Sequence, residues 1–332
     1  MSNETIAVTG ATGFIGFSIL LRLLKSGYNV RIVVRSEAKA EGLRSHPVLK
    51  ALQKESSISY YIVPDLSIIG ALDEATKGAD YVIHTASPLP FGLCEPENQY
   101  DEIVLPAINC TLSALESAKR SGTVKRVVVT SSCGAYITPE ILLGPELPEP
   151  VTLSEKDRNP EYDPHTLMSS PQQKPAFDMV CLAPTYVMGR SELAQSVKEL
   201  FSTSNGLFLR MAAGVTEPNS PPEVAAVVHI DDVVDLHFMA LNKEKIPGGQ
   251  TFLFSRNVAW NDVTPIIQEM YPEAVKSGLL PNTGNVPSKK VFFDSSKTEQ
   301  TFGIKLRSVE EMVESLIPQY IELLEKEKKA VA

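Results

Sequence analysis

Residues 7–16 read Ala-Val-Thr-Gly-Ala-Thr-Gly-Phe-Ile-Gly, three glycines spaced by three where a β-branched run meets an apolar one. Such a junction is suited to holding anions. Gly10 permits a tight turn, Gly13 lets the backbone approach a pyrophosphate, and Gly16 lets the following helix pack close to the strand. The unpaired N–H groups of the helix's first turn, helped by its dipole, then hold the phosphates. Thr12, Phe14 and Ile15 complete the loop. A second cue lies at the end of the next apolar run, where an acidic residue would take the ribose 2′-OH of NAD. The chain has Arg35 there, then Ser36, with Lys39 a little further on. Cations suit a 2′-phosphate, because charge-assisted contacts to phosphate are the strong ones. The expected cofactor is NADP(H).

The elements that must position this loop are legible from hydrophobic periodicity. Thr5–Val8, Val30–Val34, Ile58–Val63, Tyr81–Thr85 and Arg126–Thr130 are short apolar runs that read as strands. Between them, Phe14–Lys25 and Leu105–Lys119 carry helical spacing, ended by Gly27 and near Gly122. A polar helix containing Lys39 and Leu43 and a short one over Ile69–Thr76 complete the alternation. Near-continuous apolar strands separated by helices imply a parallel sheet covered on both faces, an α/β, Rossmann-type, doubly wound fold.

From Gly134 to Lys174 the chain is rich in proline and lacks a convincing helical run, although the strand at Met179–Ala183 should need a crossover helix before it. Beyond Pro184, Glu192–Phe201, Asp231–Leu241 and Asp262–Tyr271 read as helices and Gln250–Phe254 as a strand. Ser308–Lys328 reads as a long amphipathic helix, kinked or broken at Pro318. The expected division is a dinucleotide-binding domain over 1–190, with a strand returning from about 225–232. Residues 191–332 then form mainly a small C-terminal α+β substrate lobe and its last helix.

Composition narrows the classes. Over 332 residues the chain is 43% hydrophobic and 21% charged, with a net charge of −9. That is an ordinary globular balance without the basic footprint nucleic-acid backbones require. Cys94, Cys110, Cys133 and Cys181 form no Cys-x-x-Cys and no Cys/His cluster, so they read as reduced, mostly buried thiols, and no metal site is expected. Asn109-Cys110-Thr111 matches a glycosylation sequon but reads as part of a helix. Glu4 and an immediate strand leave no room for a signal peptide, and no apolar run is long enough to span a bilayer. A cytoplasmic protein without membrane attachment is expected.

Val8–Gly16, Val33-Val34-Arg35, Pro64-Asp65-Leu66, His84-Thr85-Ala86-Ser87-Pro88, Val127–Ser132, Pro184-Thr185-Tyr186-Val187 and Val228-His229-Ile230-Asp231-Asp232-Val233 occur in this order. Together, from about Thr5 to Glu314, they resemble the extended short-chain dehydrogenase/reductases, the NAD-dependent epimerase/dehydratase family. The branch most similar holds cinnamoyl-CoA reductases, dihydroflavonol reductases and microbial NADPH-dependent methylglyoxal or ketone reductases. The resemblance implies that Asp65 and Leu66 flank the adenine and that Thr85, Ala86 and Ser87 line the cofactor. It sets Pro184 and Val187 against the nicotinamide and Ser131 near its ribose. Ser132 matches the family's catalytic serine, which hydrogen-bonds the substrate carbonyl.

The same family carries a Tyr-x-x-x-Lys pair on the helix before its sixth strand. The Tyr protonates the developing alkoxide, and the Lys lowers the Tyr pKa and binds the ribose. No Lys of this chain has a Tyr four residues before it. Asn159-Pro160 and Pro175-Ala176-Phe177-Asp178 resemble the two flanks, but the stretch between them is much shorter, as though the helix had been removed as a unit. Tyr162, His165 and Lys174 lie in that stretch, and Tyr136 lies just beyond Ser132. Tyr162 with Thr166 keeps the spacing but loses the cation, while His165 has an ordinary pKa near neutrality. Tyr136, Tyr162 and His165 are weak substitutes for the acid, and Phe201, Phe208, Met211 and Leu236 read as core or pocket wall.

The expected activity is an NADPH-dependent carbonyl (ketone or aldehyde) reductase with an atypical or impaired proton donor, a role that suits secondary metabolism. Its partner would be a small-molecule carbonyl substrate, and its state a monomer or homodimer. The same fold also accommodates a non-redox isomerase or dehydratase, or a catalytically silent NADP-binding regulatory protein.

Overall fold

The structure, a computed structural model, describes residues 4–88, 98, 100–138, 140, 141, 144, 147–157, 176–216 and 221–331. Seven strands, Thr5–Thr9 (β1), Asn29–Val34 (β2), Ile58–Ile62 (β3), Tyr81–His84 (β4), Arg126–Thr130 (β5), Asp178–Pro184 (β6) and Gln250–Phe254 (β7), form a parallel sheet. Its order is β7-β6-β5-β4-β1-β2-β3. Register is fixed by apolar partners: Val8 of β1 lies opposite Ile32 of β2 on one side and Ile83 of β4 on the other. The order reverses between β1 and β4. In open α/β sheets, ligands bind beyond the carboxyl ends of the strands at such a reversal, and the glycine loop follows β1.

The chain divides into two compact units. One comprises Met1–Thr130, Pro171–Cys181 and Leu236–Gln250; the other comprises Ser131–Ser170, Leu182–Asp235 and Thr251–Ala332. In the first unit Phe17, Ile19, Leu20, Leu23 and Leu24 of helix Phe14–Lys25 are buried, and helix Leu105–Ser121 ends at Gly122, whose positive φ of 67° suits glycine. One cation is enclosed with these apolar groups. Arg126 is wholly buried and grips both oxygens of Asp178 at 2.6 and 2.8 Å, while its third nitrogen donates to the Ala240 carbonyl at 2.6 Å. Burial would raise the Asp178 carboxyl, but the Arg126 bonds and charge, with Lys243 beyond, hold it below its ordinary range. The ends of β5 and β6 are thereby tied to the last turn of helix Ile230–Ala240.

In the second unit Trp260, Phe208, Met211, Leu316 and Ile317 share one buried cluster. A three-stranded sheet joins Tyr186–Met188, Ala226–His229 and Arg256–Asn257, with Val227 opposite both Tyr186 and Arg256. The strand expected to return to the dinucleotide-binding domain from about 225–232 is Ala226–His229, and it joins this three-stranded sheet rather than the seven-stranded one. Among the described residues no helix is long and apolar enough to cross a membrane.

Several expected elements differ. The helix expected over Glu192–Phe201 begins only at Val197, because Gln319 occupies the Ser191 backbone through both its N–H and its carbonyl. Ser196 then caps the shortened helix by accepting the Glu199 N–H. The helix expected over Ile69–Thr76 is confined to Asp73–Thr76, since Gly70 sits at φ +95°. Helix Val309–Val331 runs through Pro318 unbroken. The proline lies on the exposed side, where water can take the carbonyl it leaves unpaired, and Leu316, Ile317 and Tyr320 anchor the buried side. Val151–Leu153, within the proline-rich stretch, is a strand paired in parallel with Val291–Phe293.

Arg126→Ala should lower the unfolding free energy by about 3 kcal/mol or more, because it leaves the Asp178 carboxylate without its partner and opens a cavity. Urea denaturation beside the wild type checks this, and a loss below about 1 kcal/mol would show that the pair is dispensable.

Candidate active site

The glycine loop belongs to the first unit and is closed by its own backbone. The Gly13 N–H donates to the Gly10 carbonyl at 3.0 Å and the Phe17 N–H to the Gly13 carbonyl at 2.9 Å. Gly10 adopts φ +78°, and a Cβ there would lie 2.3 Å from Thr85 Oγ1 and 2.8 Å from the Ala86 nitrogen. A Cβ on Gly16 would lie 2.2 Å from the Gly10 oxygen. At Gly13 a Cβ would meet only the Gly10 oxygen, at 3.4 Å, so this glycine is not needed for packing against protein. The space it leaves is open. No side chain caps helix Phe14–Lys25, and its first turn carries no acidic residue. Amide donors and a positive helix end thus face an open approach, which fits a dinucleotide pyrophosphate. Thr12, Phe14 and Ile15 are half-buried beside it.

The crest of β4 is locked to the crest of β1. Thr85 Oγ1 donates to the Thr9 carbonyl at 2.8 Å, and the Ala86 N–H donates to Thr9 Oγ1 at 3.3 Å. Thr9 Oγ1 also lies 2.9 Å from His84 Nδ1. The Thr9 hydroxyl can donate to the ring or accept from it, according to the tautomer. Burial pushes the His84 pKa down to about 4, so the ring is neutral near pH 7. Ser87 is exposed and donates to the Pro88 carbonyl at 3.3 Å.

Arg35 and Lys39 are both exposed where β2 gives way to helix Glu37–Ser45, and Ser36 caps that helix by accepting the Lys39 N–H. The Asp65 carboxylate accepts from the Ser67 hydroxyl at 2.6 Å and the Ser67 N–H at 2.8 Å, which lowers its pKa. Leu66 is buried with Val33, Val63 and Leu72, and Ala86 and Cys110 pack against that cluster. Burial raises the half-buried Cys110 thiol, the Asp65 charge adds to this and Arg35 opposes it. Both ends of the expected adenosine site therefore act on one thiol.

The expected substrate-side residues belong to the second unit. The Ser131 N–H donates to the Leu182 carbonyl at 2.7 Å. Ser132 is exposed, and its Oγ accepts the Gly134 N–H at 3.1 Å, capping the short 3₁₀ turn Cys133–Ala135. Tyr136 is 2% exposed, within a cluster holding Leu153, Ala183, Val224, Ala226, Val291 and Phe293. That is core rather than a surface for substrate. Pro184 and Val187 are buried; Val187 lies opposite Val228, and its carbonyl accepts from Ser204 Oγ. Tyr162, His165 and Lys174 lie outside the described residues, as does Cys94. Among the described residues, Cys110, Cys133 and Cys181 stand outside any disulfide. Phe208, Met211 and Leu236 are buried, and Phe201 is partly buried against the second-unit core.

Sequence reasoning passed over Tyr186. Between buried Thr185 and Val187 it is 39% exposed, and the strand period of two was the available signal. It also passed over the pair formed by Arg210 and Glu223, whose nitrogens and oxygens meet at 2.8 and 3.2 Å. Among the described residues no group of three or more His, Cys, Asp or Glu side chains is placed to hold a metal ion.

The model of the NAD dependent epimerase/dehydratase family matches residues 6–253. The chain belongs to this family. It is 37% identical to a ketoreductase of Cercospora nicotianae over 354 residues, covering 98% of each chain. It is 26% identical to an NADPH-dependent methylglyoxal reductase of Saccharomyces cerevisiae over 342 residues, covering 96% of this chain and 98% of that one. Both alignments exceed the 332 residues of this chain, so each relative carries residues without a counterpart here. Among solved structures, yeast methylglyoxal/isovaleraldehyde reductase complexed with NADPH has the same fold, with a TM-score of 0.74, 24% identity and 96% and 98% of the two chains covered.

Gly13→Val should abolish dinucleotide binding while the fold survives, because the branched side chain fills the open approach without touching the sheet. Calorimetric titration beside a melting curve checks both. A second expectation concerns acid stability. The His84 pKa is about 4 folded against 6.5 ordinarily, so as pH falls from 6.5 towards 4 the unfolded chain takes up a proton that the folded chain refuses. Stability should fall across that window by up to about 3 kcal/mol from this group. His84→Gln should flatten that slope in denaturation curves at pH 4 to 7; an unchanged slope would contradict the burial argument.

Proposed function

We propose that this protein is an NADPH-dependent reductase of a small ketone or aldehyde, working with an impaired proton donor. The observation that carries the reading is the uncapped helix end at an open Gly13, followed by Arg35 and Lys39 where an NAD site would carry an acid. The relatives named as ketoreductases and NADPH-dependent methylglyoxal reductases support it. The amides of the first helical turn bind the pyrophosphate, and Arg35 and Lys39 bind the 2′-phosphate. Asp65, Leu66, Thr85, Ala86 and Ser87 line the adenosine side, and Ser131, Pro184 and Val187 the nicotinamide side. When bound, NADPH supplies the hydride. Ser132 hydrogen-bonds the carbonyl oxygen and steadies the charge that develops there.

The residues that the relatives have in excess are assigned, in this reading, to the Tyr-x-x-x-Lys helix, between Asn159 and Pro175. Losing that general acid costs a rate factor of about 10² or more. Positioning of the reactants remains, and supplies catalysis of its own. The protein is read as cytoplasmic, a monomer or homodimer.

NADPH should bind at least about tenfold more tightly than NADH, roughly 1.4 kcal/mol, and Arg35→Ala should remove most of the difference. Calorimetry with both cofactors, followed by steady-state assays on a panel of ketones and aldehydes, tests the reading. Slow turnover, below about one per second, is the expected result. Equal affinities would contradict the cofactor assignment. Tight NADPH binding with no carbonyl reduced at all would favour the silent regulatory protein, which the missing pair already suggests.

A further inference from the structure

We propose, resting on the NADP(H) reading above, that buried His84 is a positioning residue of the dinucleotide site. It acts through the Thr9 hydroxyl on the crest formed by Thr85 and Ala86.

Thr9 and His84 are register partners on β1 and β4, and Val33 of β2 and Val129 of β5 extend the row. Partners in register share a face of the sheet, and Val33 clusters there with Ala114 of helix Leu105–Ser121. All four residues of the row are buried. Two polar residues thus interrupt an apolar row, and they do so across the strand pair at which the sheet order reverses. Leucine would fill a similar volume at position 84 with no polar atom to desolvate. The imidazole instead meets Thr9 Oγ1 at 2.9 Å through Nδ1, while among the described residues its buried Nε2 has no hydrogen-bond partner. The histidine therefore costs the fold stability and gains it a single bond, the one to Thr9.

That bond fixes the Thr9 side chain. A threonine can exchange its hydroxyl and methyl by turning about χ1. The imidazole holds the hydroxyl where it accepts the Ala86 N–H at 3.3 Å. Either tautomer serves, because the oxygen has two lone pairs as well as a proton. The Ala86 N–H in turn fixes the peptide plane joining Thr85 to Ala86, a trans unit whose carbonyl points the opposite way, away from Thr9. Thr85 Oγ1 donates to the Thr9 carbonyl and fills the space that bare Gly10 and Gly16 leave. One buried ring thereby sets a crest beside the glycine loop without being exposed there itself. A crest held in advance costs binding less than one that binding must order.

Calorimetric titration with NADPH, beside urea denaturation of the same proteins, tests this. His84→Leu should weaken NADPH binding about tenfold, while the unfolding free energy of the free protein stays level or rises. His84→Asn, whose amide can stand where Nδ1 stood, should restore most of the affinity. His84→Gln, whose amide reaches the Nε2 position instead, should not. Thr9→Val should also lose about tenfold, and Thr9→Val combined with His84→Leu no more than Thr9→Val alone, since both break one chain. A His84→Leu affinity equal to wild type overturns the proposal, because the histidine is then structural only. Equal affinities of the Asn and Gln variants overturn it too, as does a loss of about a hundredfold in the double variant. If His84→Leu does not fold, the Asn and Gln variants decide. A wild type that binds no NADPH would overturn the cofactor reading itself, before any variant is made.

Discussion

Three pieces of backbone meet at Gly10, Gly16 and Thr85 with no room for a side chain between them. Each contact is tighter than van der Waals distance permits for a Cβ, so the crest of β1, the crest of β4 and the first turn of helix Phe14–Lys25 form one rigid block. The rest of the cofactor side depends on that block. Thr85 can bond the Thr9 carbonyl only because Gly10 is bare, and Thr9 can receive Ala86 only because Thr85 is held. The helix end then stands over an open Gly13 with its amides directed at the approach. Burial of His84 beneath this block is the accompanying constraint, tolerable because the ring is neutral and bonded through Nδ1.

Charge is distributed to match. In the first unit the enclosed cation, Arg126, is saturated by Asp178 and Ala240 and serves structure. Arg35 and Lys39 remain exposed at the end of β2, where a doubly charged phosphate would compensate them. In the second unit, buried Asp232 is matched by Arg307, which bonds it through both backbone and guanidinium. Arg210 and Glu223 form a second pair, meeting at 2.8 Å. Arg35, Lys39, Ser132 and Tyr186, by contrast, are exposed.

The sheet was legible in sequence because parallel strands buried on both faces leave unbroken β-branched runs, and Phe14–Lys25 was legible because its apolar spacing is bounded by glycines. Both signals are local. What escaped was set by distant partners. Gln319 claims the Ser191 backbone and delays a helix, and Val291–Phe293 draws Val151–Leu153 into a strand within a proline-rich stretch. Pro318 was read as a kink or break because propensity was weighed without the buried face of Leu316, Ile317 and Tyr320. On the site, glycine geometry was readable because it follows from backbone alone. The Arg210–Glu223 pair was not, since only the fold brings the two residues together.

The chain keeps an uncapped helix end at an open Gly13 while lacking the Tyr-x-x-x-Lys pair of its family, and the central claim is that hydride transfer survives that loss. Single-turnover reaction of a ketone with NADPH deuterated at the transferring carbon tests this most directly. The account predicts an alcohol carrying deuterium on its carbinol carbon, formed slowly and in stoichiometric proportion to bound cofactor. Stoichiometric NADPH binding with no deuterium in the product would contradict it.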